Sequence, residues 1–167
     1  LAFGARGSGK YSAHYESHKV VINLTKTRGA GSLAHEWFHA LDNSIMREKG
    51  KTLEFASDNH KPNGDPLIQL FVDLNIAVKS TDFYTRSCKI DSYKSKPYWG
   101  TAIELNARAF EKYVITKLAE KKFINDYLAN IRSWEEYPRQ EIYPYPTDHE
   151  IKILAPYFDN LLKAVFS

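Results

Sequence analysis

Apolar residues at Leu33, Ala34, Trp37, Phe38, Ala40, Leu41, Ile45 and Met46 follow helical spacing, which predicts a helix over about 32–47. The apolar stripe wraps much of its circumference, so this helix belongs in an interior. Ser32, after the glycine-broken RGAG, is placed to cap it. Upstream, YSAHYESHKVVINLTKT offers two short β-like runs around a SHK turn, carried by Tyr11, His14, Tyr15 and then Val20, Val21, Ile22 and Leu24. Residues 1–28 therefore read as a small sheet. PLIQLFVDLNIAV after the NHKPNGDP loop is a second helix, with Pro66 suited to its first turn. Residues 79–97 are polar and aperiodic and read as a long loop. GTAIELNARAFEKYVITKLAE is the clearest helix, opened by Gly100 and Thr101 and carried by Ile103, Ala107, Phe110, Val114 and Leu118. FINDYLANIRSW predicts a shorter helix, YPRQEIYPYP an extended stretch, and TDHEIKILAPYFDNLLKAVF a last helix bent or broken at Pro156. The order of these elements gives an α+β fold, a small N-terminal sheet followed by a mainly helical body.

The chain has 167 residues, 43% hydrophobic and 26% charged, which suits one domain over 1–167 with a sizeable core. Its net charge of +3 comes from scattered residues, so the electrostatic case for nucleic acid is weak. Cys88 stands alone, which excludes an internal disulfide and favours a reducing, cytoplasmic setting. No apolar run approaches a membrane span, and no secretory signal pattern opens the chain. A start at Leu1, without an initiator Met, reads as a domain cut from a longer protein.

Within GSLAHEWFHALDN, His35 and His39 lie four apart with Glu36 beside the first. On a helix, positions four apart sit ~40° apart on one face, so both imidazoles can meet one ion while Glu36 reaches a water beside it. The bland alternative is two core histidines and a surface acid. Two unpaired histidines on a buried helix are the costlier arrangement. A catalytic zinc takes three protein ligands plus water. A third histidine six residues after His39 is absent, because that position is Ile45. The ligand must come from another helix, and ELNARAFE supplies Glu104 and Glu111 on one side, with Arg108 four residues after Glu104. Small Ala107 and Ala109 would let two helices pack closely. Asp42, near His39, is a candidate acceptor for a ligand histidine's other ring N–H. Its plain alternative is a surface acid; Glu111's is a solvated acid or one standing behind the ligands. His14, His18 and Tyr98 are candidate donors to a developing oxyanion, while His60 and His149 sit in polar turns and read as surface. GARGSGKY imitates a phosphate loop through Gly4, Gly9 and Lys10, but Tyr11 stands where Ser or Thr is needed.

Glu104 followed by Ala107 looks like the E-x-x-A signature of Glu-zincin peptidases, which favours Glu104 over Glu111 as the third ligand. AFGARG, AHYE, INLTK and GAGSLAHEWFHALDN, followed by YWGTAIELNARAFEKYV, resemble the first family of large polyvalent protein-associated domains. These are zincin-like modules within very long proteins of phages and conjugative elements. The resemblance covers most of residues 1–118. It implies a zincin fold, zinc held by His35, His39 and a glutamate, Glu36 as base, and metallopeptidase (hydrolase) activity on a protein or peptide. Other domains of a longer parent chain would be its partners. The VVINL run would pair with an extended substrate, and Lys79, Arg86, Lys89, Lys94 and Lys96 of the presumed loop would favour acidic ones. Two rival functions are a zinc-bound but proteolytically silent interaction module and an accessory domain in DNA transactions.

Overall fold

The computed structural model describes residues 1–3, 13–25 and 30–167. The phosphate-loop imitation at Gly4–Tyr11 lies outside them. Strands β1 (Ala2–Phe3), β2 (Ala13–Glu16) and β3 (Val21–Leu24) form a sheet of order β1-β3-β2, with β1 parallel and β2 antiparallel to β3. The register pairs Tyr15 with Ile22 and Ala13 with Leu24. Val20, expected in the second strand, instead occupies the turn at φ 55°, an uncommon place for a β-branched residue. Helices α1 (Leu33–Glu48), α2 (Pro66–Lys79), α3 (Asp82–Asp91), α4 (Ala102–Glu120) and α5 (Asp148–Phe166) follow, and the fold is α+β. No helix among the described residues is long and apolar enough to cross a membrane.

The core lies among α1, α2, α4 and α5. Phe38 of α1 meets Phe110 of α4 at 4.9 Å, Phe158 of α5 at 5.8 Å and Phe71 of α2 at 6.1 Å between ring centroids. Ala107 and Ala109 are fully buried where α4 packs on its neighbours, as their small size requires.

Three expected elements differ. The presumed loop 79–97 is largely α3, hidden from a hydrophobic scan because its buried face is Phe83, Arg86 and Ser87. A buried arginine breaks the apolar period. Arg86 donates to Glu150 Oε2 at 2.6 Å and to the carbonyls of Tyr143 and Tyr145, both at 3.1 Å. Glu150 also accepts from Phe83 N at 2.7 Å and Thr147 N at 2.8 Å, so it caps α3 and α5 together. Burial pushes the Glu150 carboxyl up, but Arg86 and the Thr147 N–H outweigh it and hold it below its usual value of 4.5. A depressed carboxylate contributes stability that is present above that value and lost as pH falls through the lower folded one. Glu150→Ala is therefore expected to cost about 3–5 kcal/mol at pH 7, because it strands a buried guanidinium. Urea unfolding should show the gap from wild type closing as pH drops below about 4.5, and a pH-independent gap would discount the ion pair.

The helix expected over FINDYLANIRSW does not form. Asn125 Oδ1 accepts from Tyr127 N and Leu128 N, a local turn that competes with helix. The following carbonyls serve another element: Gly31 N donates to Tyr127 O, and Ala34 N, an orphan donor of α1's first turn, to Leu128 O at 2.8 Å. Asn130 N returns a bond to Gly31 O. Gly31 has φ +86°, and a Cβ there would stand 2.7 Å from Asn130 Cβ, so glycine is required for this approach. Finally, α5 runs through Pro156 unbroken. Pro156 and Lys152 are both exposed, so water can take the carbonyl left without a helical donor.

Candidate metal centre

The first turns of α1 carry His35, Glu36 and His39, and α4, packed against α1, carries Glu104, Arg108 and Glu111. His35 Nε2 and His39 Nε2 approach to 3.0 Å, and Glu104 reaches them at 3.4 and 3.5 Å. Ligand atoms on a tetrahedron with ~2.0–2.1 Å zinc bonds stand ~3.3 Å apart. The two histidine nitrogens are close to that edge, Glu104 faces one with Oε2 and the other with Oε1, and one ligand atom from each of the three residues lies within 4.8 Å of the others, a group able to hold a metal ion. Glu104 Oε2, 3.4 Å from His35 Nε2, is buried without a hydrogen-bond partner among the described residues, a state that a cation would relieve.

The electrostatics are tightly coupled. Burial alone would disfavour charge on His35, but Glu104 and Glu111 outweigh it and push its pKa up to about 10. Burial likewise raises Glu104, but His35 and His39 outweigh it and hold its carboxyl well below the usual range. Glu111, almost fully buried, faces His35 Nδ1 at 3.2 Å. It therefore fixes the ring behind the convergence point instead of joining it, the position of an outer acid orienting a ligand imidazole. Metal uptake requires His35 neutral at Nε2, so proton and cation compete there.

Glu36 is buried, yet it lines the cleft beside the convergence point. Burial raises its pKa against the pull of His35 and His39. A carboxylate moved towards neutrality beside a metal-type cluster is suited to accepting a proton. The cleft has two lobes. One, of about 240 Å³, is walled by Ala13, His14, Tyr15, Phe55, Tyr98 and Ile103. The other, of about 440 Å³, is bounded by Ser32, Trp99, Arg108, Glu111 and Tyr145, and His35, Glu36 and Glu104 border both.

Arg108 is buried between Phe83 and Trp99 and donates to Ser87 Oγ and to the Pro144 and Trp99 carbonyls. It contributes a fixed positive charge near Glu104 and Glu111. Tyr98 is set at the cleft by Asp91, which accepts from the Tyr98, Trp99 and Gly100 N–H groups at 3.0, 2.9 and 2.7 Å. Burial, with the Glu104 charge, holds the proton on the Tyr98 hydroxyl.

Several expectations change here. Asp42 does not take a ligand ring: it accepts from Ser57 N at 2.9 Å and from Ser57 Oγ, while His39 Nδ1 has no hydrogen-bond partner. Of the oxyanion candidates, His14 and Tyr98 line the cleft, whereas His18 is exposed beside Glu16. VVINL does not offer a free edge for an added strand, because β3 is the central strand; β2 is an outer strand and lines the cleft. Arg86 is sequestered by Glu150, and none of Lys79, Lys89, Lys94 or Lys96 borders either lobe. His60 and His149 are exposed, as expected. Phe55, Tyr15 and Tyr145 were not legible as cleft residues; only Ile103, beside Glu104, carried a positional hint.

Residues 90–167 match the family model of large polyvalent protein-associated domain 1. The match supports that family. It takes in Tyr98, Glu104 and Glu111 but not the histidine helix, and it overlaps the resemblance read over residues 1–118 only from 90 onward. No curated protein and no solved structure matches the chain.

Proposed function

We propose that this domain is a zinc-dependent peptidase of zincin type that binds its metal through His35, His39 and Glu104 and uses Glu36 as general base. The observation that carries the reading is the convergence of three ligand side chains, the two imidazole Nε2 atoms 3.0 Å apart with Glu104 Oε2 3.4 Å from one and Oε1 3.5 Å from the other, and a buried carboxylate facing the same cleft. Bound zinc would supply Lewis acidity and a water with pKa near ~7. The chain's own residues supply the rest. Glu36 takes a proton from the attacking water and passes it to the departing amine. Ala13, His14 and Tyr15 of β2, an outer strand of the sheet, line the cleft together with Glu36. An extended peptide laid beside β2 would bring a scissile carbonyl past Glu36. Tyr98 and His14, on the walls of the same lobe, are the available donors to its oxygen. The mobile-element context suggested by the family fits a module working inside a longer chain on a protein substrate.

Metal analysis of the purified domain, followed by turnover of a mixed peptide library, tests the reading. One zinc per chain with cleavage supports it. One zinc without cleavage of any peptide would leave a metal-held interaction module, and no zinc would remove the basis for both.

A further inference from the structure

We propose that Ser57 and Asn106, with Asp42 and Asn75, form a positioning network that sets the spacing of the two ligand-bearing helices and so the fit of the site to its ion. The inference rests on the zinc reading above.

All four side chains are buried, Asp42, Ser57 and Asn106 completely. Asp42 lies on α1 three residues after His39, and Asn106 on α4 two residues after Glu104. Ser57, in the single turn Ala56–Asp58, joins them. Its N–H and hydroxyl donate to the two oxygens of Asp42, and its hydroxyl accepts from Asn106 Nδ2 at 3.3 Å. Asn106 Nδ2 also donates to Asn75 Oδ1 at 2.9 Å. Asn75 Nδ2 in turn donates to the carbonyls of Ser57 at 2.9 Å and Asn59 at 3.2 Å. The turn is thus clamped from α1, α2 and α4 at once.

A buried polar cluster is no better for stability than apolar packing of the same shape, but its geometry admits few alternatives. That property matters at this place. Glu111 faces the His35 ring at Nδ1, whereas the buried Nδ1 of His39 has no hydrogen-bond partner among the described residues. The placement of His39 against Glu104 then depends on where the two backbones sit. The Asp42–Ser57–Asn106 link fixes that separation close behind the ligands. Among the described residues, the side-chain hydrogen bonds of Asn106 and Ser57 go to Asp42, Asn75 and each other and not to the three ligands or Glu36, so their effect on the site runs through helix position.

The test is zinc affinity, measured by competition with a chromophoric chelator, together with the absorption spectrum of the cobalt-substituted domain. Asn106→Ala cuts the link to α4, and Ser57→Ala cuts it while sparing the backbone bond to Asp42. Both are expected to raise the zinc Kd severalfold, less than the about 10–100-fold lost with a group bonded directly to a ligand, and to alter the cobalt bands. Ile151→Val, a core change in α5, should lower Tm and leave Kd unchanged. If Asn106→Ala fails to fold, Ser57→Ala decides. Wild-type Kd and cobalt spectrum in the folded variants, whatever their Tm, would overturn the proposal and reduce the cluster to core structure. A wild-type domain that binds no zinc would instead remove the reading on which it rests.

Discussion

Glu104→Ala is expected to leave the domain without stoichiometric zinc, while Glu111→Ala keeps the metal with weakened affinity. Glu104 approaches both imidazole Nε2 atoms, at 3.4 and 3.5 Å, whereas Glu111 meets only His35 Nδ1, on the far side of that ring. A structural zinc site at neutral pH is worth roughly 10–16 kcal/mol, so one ligand among three carries several kcal/mol, on the order of 10³-fold in affinity. Losing an outer acid that orients a ligand ring costs about 10–100-fold. Zinc content after dialysis against a weak chelator separates the two variants. Folding is controlled by measuring Tm of both metal-free variants, since each carboxylate also faces His35 in the metal-free domain. Equal zinc loss in both variants, or greater loss in Glu111→Ala, would move the ligand role to Glu111.

What the sequence made legible follows the physics of each signal. Helices α1, α2 and α4 were readable because they bury apolar side chains at helical spacing, and the spacing of His35, Glu36 and His39 needs only helix geometry to be interpreted. Pairing with Glu104 was a judgement between two acids on one helix face, and only the tertiary approach of α4 to α1 separates them. Helix α3 was missed because an ion pair sixty-four residues apart in sequence, Arg86 with Glu150, takes the place of an apolar contact. The helix expected over 123–134 failed for the opposite reason. Its composition suits a helix, but its carbonyls serve Gly31 and Ala34 at the start of α1. Asp42 shows the same limit within the site. Its spacing from His39 is right for orienting a ring, yet Ser57 captures it from another element.

Replacing Glu36 by glutamine should abolish peptide turnover and leave zinc in place. Glutamine keeps the length of the side chain and an acceptor oxygen, so the cleft wall is preserved. It lacks the basic carboxylate, and loss of a general base lowers kcat by about 10²–10⁴-fold. Stability gives an independent readout. Burial raises the Glu36 pKa, so above its folded pKa the wild type carries the cost of a buried charge that Glu36→Gln does not. The variant should therefore melt at or above the wild-type temperature at neutral pH, with the difference shrinking as pH falls towards the usual carboxylate range and both side chains become neutral. Zinc content, Tm and turnover measured on one preparation distinguish the roles. Loss of zinc would make Glu36 a ligand, and turnover surviving in the zinc-loaded variant would transfer the base to another group in the cleft.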